Sequence, residues 1–416
     1  MENNILFQAQ KAKKAAQILS IMDNQSKNAI LSSMACSLSQ SGKEILFYNE
    51  IDVSAAKESG LSISMIDRLV LNQKRIDDMC KGLEKLILLK DHTGEIIESS
   101  QTSEGLDIKK IRVPLGLIAM IYEARPNVTV DAASLCLKSG NVVILKGGSE
   151  AINSNRVLAK IILSAGIKAG MPDGAIEFID TLDRNAVYEL LKLDKYIDLL
   201  IPRGGEELVN FVRKNSLIPV LSHGKGLCHL YIDEDADIDM ALKIAINAKC
   251  QRPSVCNSIE TLLVSRSIAH TFLPQICKAY YDKGVAIRGC PITKSIVNTV
   301  ELANDEDWNS EYHDLIISIK VVDSINEAIE HINKYGSKHS DAIITENKKT
   351  ADKFLKEADS AAVFVNASTR LHDGSVFGLG AEIGISTQKL HARGVMGLKE
   401  LTTTKYIVVG KGNIRE

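Results

Sequence analysis

The chain has 416 residues, with 50 Lys and Arg against 52 Asp and Glu, and 45% of it is hydrophobic. Such a balance excludes extensive disorder and leaves no basic footprint for nucleic acid or an anionic membrane surface. The longest strongly apolar stretch, 113–122, falls far short of the ~20 residues a membrane helix needs.

The amino terminus, MENNILFQAQKAKKAAQ, lacks the basic-then-apolar order of a secretory signal. The eight cysteines are scattered and form no CxxC pair. A soluble, cytoplasmic protein with free thiols and no structural zinc is expected. Ile5, Ala9, Ala12, Ala16 and Leu19 recur at helical spacing, and the same period runs through 30–38 and 66–88, so 5–90 is predicted helical. Residues 91–110 are polar and read as an exposed hairpin or flap.

The pattern then changes. Short apolar runs at 115–122, 141–148, 175–180, 196–202 and 218–221 alternate with helical stretches at 128–138, 150–169, 184–192 and 205–214. This alternation predicts βαβ units, a mostly parallel sheet, and functional loops at the C-terminal strand ends. It restarts near 224, with strands at 227–232 and 259–264 around a helix at 236–249, and continues to 363–366. A glycine-rich stretch, 374–384, and a strand-like tail, 405–410, follow. The expected architecture is α/β, with two parallel-sheet domains in tandem that meet near Ser222–Gly226.

Four segments could carry chemistry. Cys256 follows Arg252-Pro253 between a helix and a strand; it is either a buried apolar cysteine or a nucleophile whose thiolate Arg252 favours. Lys146-Gly147-Gly148-Ser149 ends one strand and Arg203-Gly204-Gly205 another. Each is a plain βα turn or a set of backbone N–H groups for phosphate, and the pair favours a dinucleotide more than either alone. Phe377–Thr387 is glycine-dense, either a surface loop or backbone that approaches a ligand. His223, Cys228 and His229 fit no zinc spacing, and Ser254 lies in no GxSxG elbow, so neither a metal nor a serine hydrolase is expected.

The strings VPLGLIAMIYEARPNVTVDAASLCLKSGNVVILKGGSEA, IPRGGEELVNFV, SHGKGLCHLYID, AKCQRPSVCNSIETLLV and HDGSVFGLGAEIGISTQKLHARGVMGLKELTTTKYIVVG cover most of 111–265 and 361–410. In this order they resemble the aldehyde dehydrogenase superfamily, and within it the members that reduce an acyl phosphate. The resemblance implies a catalytic nucleophile at Cys256, an oxyanion donor at Asn127, an adenosine-ribose contact at Lys146 and a nicotinamide-ribose contact at Glu311. It implies cofactor contacts at Gly147, Gly148, Ser149, Arg203, Gly204 and Gly205. For the substrate, charge and placement suggest Arg125, Arg370, Ser386 and Thr387 for the anionic groups and Glu382 for the ammonium. One position departs from the hydrolytic members: their water-activating glutamate is replaced by Leu221, so a thioester would outlive hydrolysis.

The implied reaction is NADPH-dependent reduction of L-glutamyl 5-phosphate to L-glutamate 5-semialdehyde through a Cys256 thioester, the second step of proline biosynthesis. Ser149 stands where NAD-preferring relatives often carry an acid, and Lys146 is a cation in reach, so NADPH is expected over NADH. Alternatives are a hydrolytic or CoA-acylating semialdehyde dehydrogenase and a scaffold that kept the fold. The implied domains are a cofactor domain (1–94 and 113–223, with 380–400 returning to it), a catalytic domain (224–379) and a flap (95–112 and 401–416). The flap is expected to pair between copies of a homo-oligomer. A length of 416 residues leaves no room for a fused kinase, so a separate glutamate 5-kinase is the expected supplier of the labile acyl phosphate.

Overall fold

The computed structural model describes residues 4–222 and 224–415. His223 lies outside the described residues. Two compact units emerge: one takes the chain to residue 222 with 378–384 and 396 onward, the other runs from 223 to 377 with 385–395. The stretch 380–400 is thus divided between them. Among the described residues, no helix is long and apolar enough to cross a membrane.

The first unit begins with helices α1 (Ile5–Leu19), α2 (Asn24–Gln40), α3 (Gly42–Glu58), α4 (Ile63–Leu69) and α5 (Gln73–Leu88). Ile76, Met79, Cys80, Leu83 and Leu86 form the buried stripe of α5, and the Asn72 side chain caps its first turn by accepting from Arg75 N. In α1 the stripe runs through Ala15 rather than Ala16. Strands β1 (Ile96–Gln101) and β2 (Asp107–Pro114) form the expected hairpin.

Then β3 (Leu117–Tyr122), α6 (Asn127–Lys138), β4 (Val142–Gly147), α7 (Ile152–Lys168), β5 (Ile176–Phe178), α8 (Asn185–Leu190), β6 (Leu199–Arg203) and α9 (Glu206–Asn215) alternate. The strands are all parallel, in the order β5-β4-β3-β6. Every residue of β3 and β4 is buried, which explains why both read as unbroken apolar runs rather than alternating ones. The run 218–221 does not become a strand. It makes one isolated bridge, Leu200 to Val220, because Ser216 and Pro219 leave little ladder to extend.

The second unit holds β7 (Cys228–Ile232), α10 (Ile238–Cys250), β8 (Ile259–Ser265), α11 (Arg266–Tyr281), β9 (Ala286–Gly289), α12 (Pro291–Ile296), β10 (Glu301–Leu302), β11 (Ile316–Val322), α13 (Ile325–Tyr335), β12 (Ser340–Ile344), α14 (Lys348–Glu357) and β13 (Ala362–Val365). Its sheet is parallel throughout, in the order β10-β9-β11-β8-β7-β12-β13. One face packs Cys228, Leu230 and Ile232 with α10 and α11; the other packs Tyr231 and Leu263 with Ile329 and Phe354. Two short strands, β14 (Ile385–Ser386) and β15 (Gly394–Val395), pair antiparallel. The last strand, β16 (Thr402–Val409), belongs to the first unit and pairs with β2. The two flap segments, expected to pair between copies, here pair with each other within one chain.

Candidate active site

In the first unit the sheet order reverses at β3, with β4 on one side and the later β6 on the other. A parallel sheet opens a crevice at such a reversal, outside the carboxyl ends of the strands. Arg125 and Asn127 follow β3, Lys146–Ser149 follow or end β4, and Arg203–Gly205 end or follow β6. The predicted cofactor residues of this unit, Lys146–Ser149 and Arg203–Gly205, therefore lie at one end of its sheet, while Glu311 belongs to the second unit.

Both Gly-Gly turns are already engaged by carboxylates of the chain itself. Gly205, the N-cap of α9, donates its N–H to Glu123 Oε2 at 2.7 Å, and a Cβ on Gly204 would lie 2.3 Å from the same oxygen. Glu150 accepts the N–H of Ala124, and a Cβ on Gly148 would meet the Glu150 carboxylate at 2.4 Å. Ala124 is in the left-handed region, φ 46°, which bends the chain sharply out of β3. Burial and the neighbouring Glu150 and Glu207 push the Glu123 carboxyl up, against the Gly205 N–H that favours its charge. Of the two turns, each read from the sequence as a plain βα turn or an anion cradle, the second has a carboxylate on its Gly205 N–H and the first has one packed against Gly148.

Lys146 is buried; its Nζ donates to the Gly147 carbonyl at 2.9 Å, and burial lowers its pKa while Glu150 and Asp180 raise it. Ser149 is exposed. Asn127 opens α6, and its amide donates to Asp131 Oδ2, one helical turn on, at 2.7 Å. Burial pushes the Asp131 carboxyl up to about 6, against the pull of the Asn127 bond and of Arg203. Arg203 also flanks Gly384, where a Cβ would lie 3.3 Å from its guanidinium. Glu382, two residues earlier, is half-buried. Leu221, which the resemblance sets against the hydrolytic members' glutamate, is buried.

In the second unit Cys256 and Glu311 precede their strands, β8 and β11, whereas Arg370 follows β13. Cys256 lies in the turn between α10 and β8 and is half-buried. Gly226 lies before β7, and a Cβ there would meet Cys256 O at 2.4 Å, Cys256 Cα at 2.6 Å and Glu311 Oε1 at 2.7 Å. The Cys256 turn and Glu311 therefore converge on a spot only glycine can occupy. The Cys228 thiol donates to Cys256 O at 3.1 Å, and its own ionisation is suppressed by burial.

The ends of the Cys256 turn are tied. Ser258 Oγ donates to Ala248 O at 3.1 Å, and Lys249 Nζ donates to Glu260 Oε2 at 2.6 Å, both groups fully buried. Burial holds the Glu260 carboxyl up to about 7, despite Lys249. Glu260 also accepts from His313 N at 3.4 Å, and His313 stands at φ 56° beside Glu311. Asn257 is gripped from the segment after β13: Thr369 Oγ1 donates to its carbonyl at 2.7 Å, and its Nδ2 donates to His372 O at 3.1 Å. Arg370 donates to Asn257 Oδ1 and, through Nε at 2.9 Å, to Gln251 Oε1. Ser386 accepts from Gln388 N at 3.2 Å in β14, and Thr387 beside it is half-buried. Cys228 and His229 point to opposite faces of β7, the first into the helix-packed core and the second to Asp341 at 3.1 Å. Among the described residues no group of three or more His, Cys, Asp or Glu is placed to hold a metal.

Residues 3–286 match the aldehyde dehydrogenase family. The chain belongs to that family. Gamma-glutamyl phosphate reductase of Halothermothrix orenii is 54% identical over 416 residues, the whole of both chains. That of Clostridium acetobutylicum is 55% identical over 408 residues, 98% of each. The crystal structure of gamma-glutamyl phosphate reductase from Thermotoga maritima aligns with a TM-score of 0.96 at 50% identity, over 99% of both chains. An acetylating aldehyde dehydrogenase from Geobacillus thermoglucosidasius shares the fold at 18% identity, with a TM-score of 0.71.

Sequence reasoning about this aldehyde dehydrogenase missed Glu123, Glu150, Asp131 and Glu260. Asp131 had a local signal, an Asn–Asp pair at i,i+4 on one helix face. Glu260 had a fainter one, a carboxyl at the start of an otherwise apolar strand.

Proposed function

We propose that this chain reduces L-glutamyl 5-phosphate to L-glutamate 5-semialdehyde with release of phosphate. The end-to-end likeness to the reductases carries the reading, and the buried Leu221 supports it by removing the base that hydrolysis needs. Cys256 thiolate attacks the acyl carbon, a tetrahedral oxyanion forms, and phosphate leaves to give a thioester. The resemblance assigns the oxyanion to the Cys256 N–H and to Asn127, whose amide Asp131 orients. Losing one such donor typically costs ~10²–10³ in kcat, so Asn127→Ala is expected to fall in that range.

Reduction needs a hydride, which a reduced nicotinamide supplies when bound. The residues fit such a group: the Gly205 N–H already donates to a carboxylate, Glu123, and the atoms crowding Gly204 and Gly148 include the carboxylates of Glu123 and Glu150, movable side-chain ends. Lys146 and Ser149 would face the adenosine ribose, Arg203 and Gly205 the phosphates, and Glu311 the nicotinamide ribose. With Ser149 in place of an acid, we read the preferred cofactor as NADPH; a lower KM for NADH would contradict this. Arg125, Arg370, Ser386 and Thr387 are the proposed contacts for the substrate's anionic groups, and Glu382 for its ammonium.

The reading sets the enzyme in the cytoplasm, supplied by a glutamate 5-kinase. It also makes the chain a homo-oligomer, because β16 ends its sheet with Tyr406, Val408 and Val409 exposed. The test is purified protein with glutamate semialdehyde, NADP+ and inorganic phosphate. Phosphate-dependent NADPH formation that Cys256→Ser abolishes is the expected result. Turnover without phosphate would indicate hydrolysis, dependence on CoA an acylating enzyme, and no turnover a scaffold.

A further inference from the structure

We propose that Arg252 and Arg370 together form the seat for the phosphoryl group of the acyl phosphate, beside the Cys256 thiol. The proposal rests on the reductase reading and specifies which anion the arginines take. Arg370 reaches its position from 114 residues away in the chain and bridges Gln251 Oε1 and Asn257 Oδ1. Those two acceptors bracket the segment 252–256, so the guanidinium spans the turn that carries the nucleophile. Arg252 is inside that bracket, is exposed, and makes no hydrogen bond or ion pair among the described residues.

The two guanidinium groups are near enough for their like charges to act on each other. Burial and the charge of Arg252 both work against the Arg370 cation, while Cys256, Asp373 and Cys228 favour it. Asp373, whose carboxylate also accepts from Ser375 N at 2.9 Å, is one negative charge facing two cations. A like-charge pair next to a nucleophile is costly in an empty site and is relieved by a dianion. Guanidinium forks also match the geometry of phosphate oxygens. During the reaction the S–C bond forms and the C–O bond to phosphate breaks, and the bonding pair leaves on the phosphate oxygen. The charge that develops there appears where the two cations stand. No oxidant or further reactant is involved in this step. Before substrate arrives, the same cations favour the Cys256 thiolate.

The glutamyl carboxylate is the competing anion, and the experiment separates the two. Alkylation of Cys256 by iodoacetamide is followed with and without inorganic phosphate, in wild type and Arg252→Gln. The KM values for phosphate and for glutamate semialdehyde are measured in the oxidative direction. In Arg252→Gln, phosphate protection and the KM for phosphate are expected to weaken about tenfold, the worth of one charge-assisted contact, with the KM for semialdehyde nearly unchanged. Arg252→Lys is expected to recover much of the loss. Equal protection in wild type and Arg252→Gln would overturn the proposal, as would a raised KM for semialdehyde with phosphate unmoved. If phosphate shields Cys256 through Arg252 in a protein without phosphate-dependent turnover, the reductase reading fails while the anion seat stands.

Discussion

The two parallel sheets place their chemistry at opposite ends of their strands. In the first unit the proposed cofactor residues end or follow β4 and β6, as expected where helices start with free N–H groups. In the second unit Gly226, Cys256 and Glu311 precede β7, β8 and β11. The manner of support differs as well. Glu123, a side chain with an exposed stem, covers the Gly205 N–H and can swing away. The Cys256 turn is held by the fully buried Lys249–Glu260 pair, by Asn257 and by Thr369. A place that must exchange a large anion is closed by movable groups. A place proposed to hold a nucleophile to a fraction of an ångström is over-determined.

The sharpest way to break this contrast is to remove one half of the buried brace. Lys249→Met leaves the Glu260 carboxyl unpaired in the core, which should cost about 3–5 kcal/mol. The double variant Lys249→Met/Glu260→Met should recover most of that loss, because two apolar groups need no partner. Urea unfolding of the three proteins measures both. If Lys249→Met is as mild as a surface change, the brace does not hold the turn.

Next in size is a pair of glycines, one from each unit. Gly226→Ala drives a methyl into Cys256 O and Cα, which are backbone and cannot turn aside. A displaced nucleophile should lower kcat about 10²-fold. Gly204→Ala meets the Glu123 carboxylate and Leu208 Cδ2, both side-chain ends that can move, so kcat should stay within a few-fold of wild type. Steady-state kinetics on both variants decide it; equal losses would erase the distinction between locked and movable support.

How much of this was legible in the sequence follows from the range of the contacts. The pairing of β3 with β4 and the helix between them rest on neighbours within some thirty residues, and the apolar runs and glycines show them directly. Residues 218–221 looked like a strand because Ile218, Val220 and Leu221 are apolar, yet whether a run extends a sheet depends on a distant partner's edge. The bonds of Arg370 to Gln251 and Asn257 could not be read locally, because they cross 119 and 113 positions of chain. Glu123 and Glu150 read as ordinary loop acids, since nothing local says that a carboxylate will fold back onto a neighbouring turn's N–H.

The units also differ in acid response. All the described histidines but His92 are in the second unit. His331 lies against His229, Trp308 and Tyr335 with neither ring nitrogen bonded, and burial lowers its pKa to about 2. His372 is lowered to about 3 by burial and by His339. Both rings are neutral in the folded state and bind a proton in the unfolded chain below pH ~6.5. Their contribution is therefore present above that pH and is lost as pH falls, by roughly 1.4 kcal/mol per unit for each. Glu260, and Asp131 in the first unit, carry raised values and oppose this slope: their stability is lost as pH rises through about 7 and about 6. His331→Leu should shrink the stability difference between pH 7.5 and pH 5 by about 2 kcal/mol. An unchanged difference, read by urea unfolding at the two pH values, would mean that His331 is already solvated.

The smallest effect belongs to Glu123. Its carboxylate holds the Gly205 N–H that an incoming phosphate oxygen would use, and it sets a negative charge beside that phosphate. Both act against binding, so Glu123→Ala should tighten NADPH by a few-fold, about 0.5–1 kcal/mol, the usual scale for a charge at a helix N-terminus. Since burial raises the Glu123 pKa, the wild-type affinity should itself improve as pH falls through the acid range, and the variant should lose that trend. Titration of the two proteins with NADPH at several pH values reads both. Weaker binding in Glu123→Ala would reverse the picture and make Glu123 a support for the turn, like the groups around Cys256, rather than a stand-in that yields to the ligand.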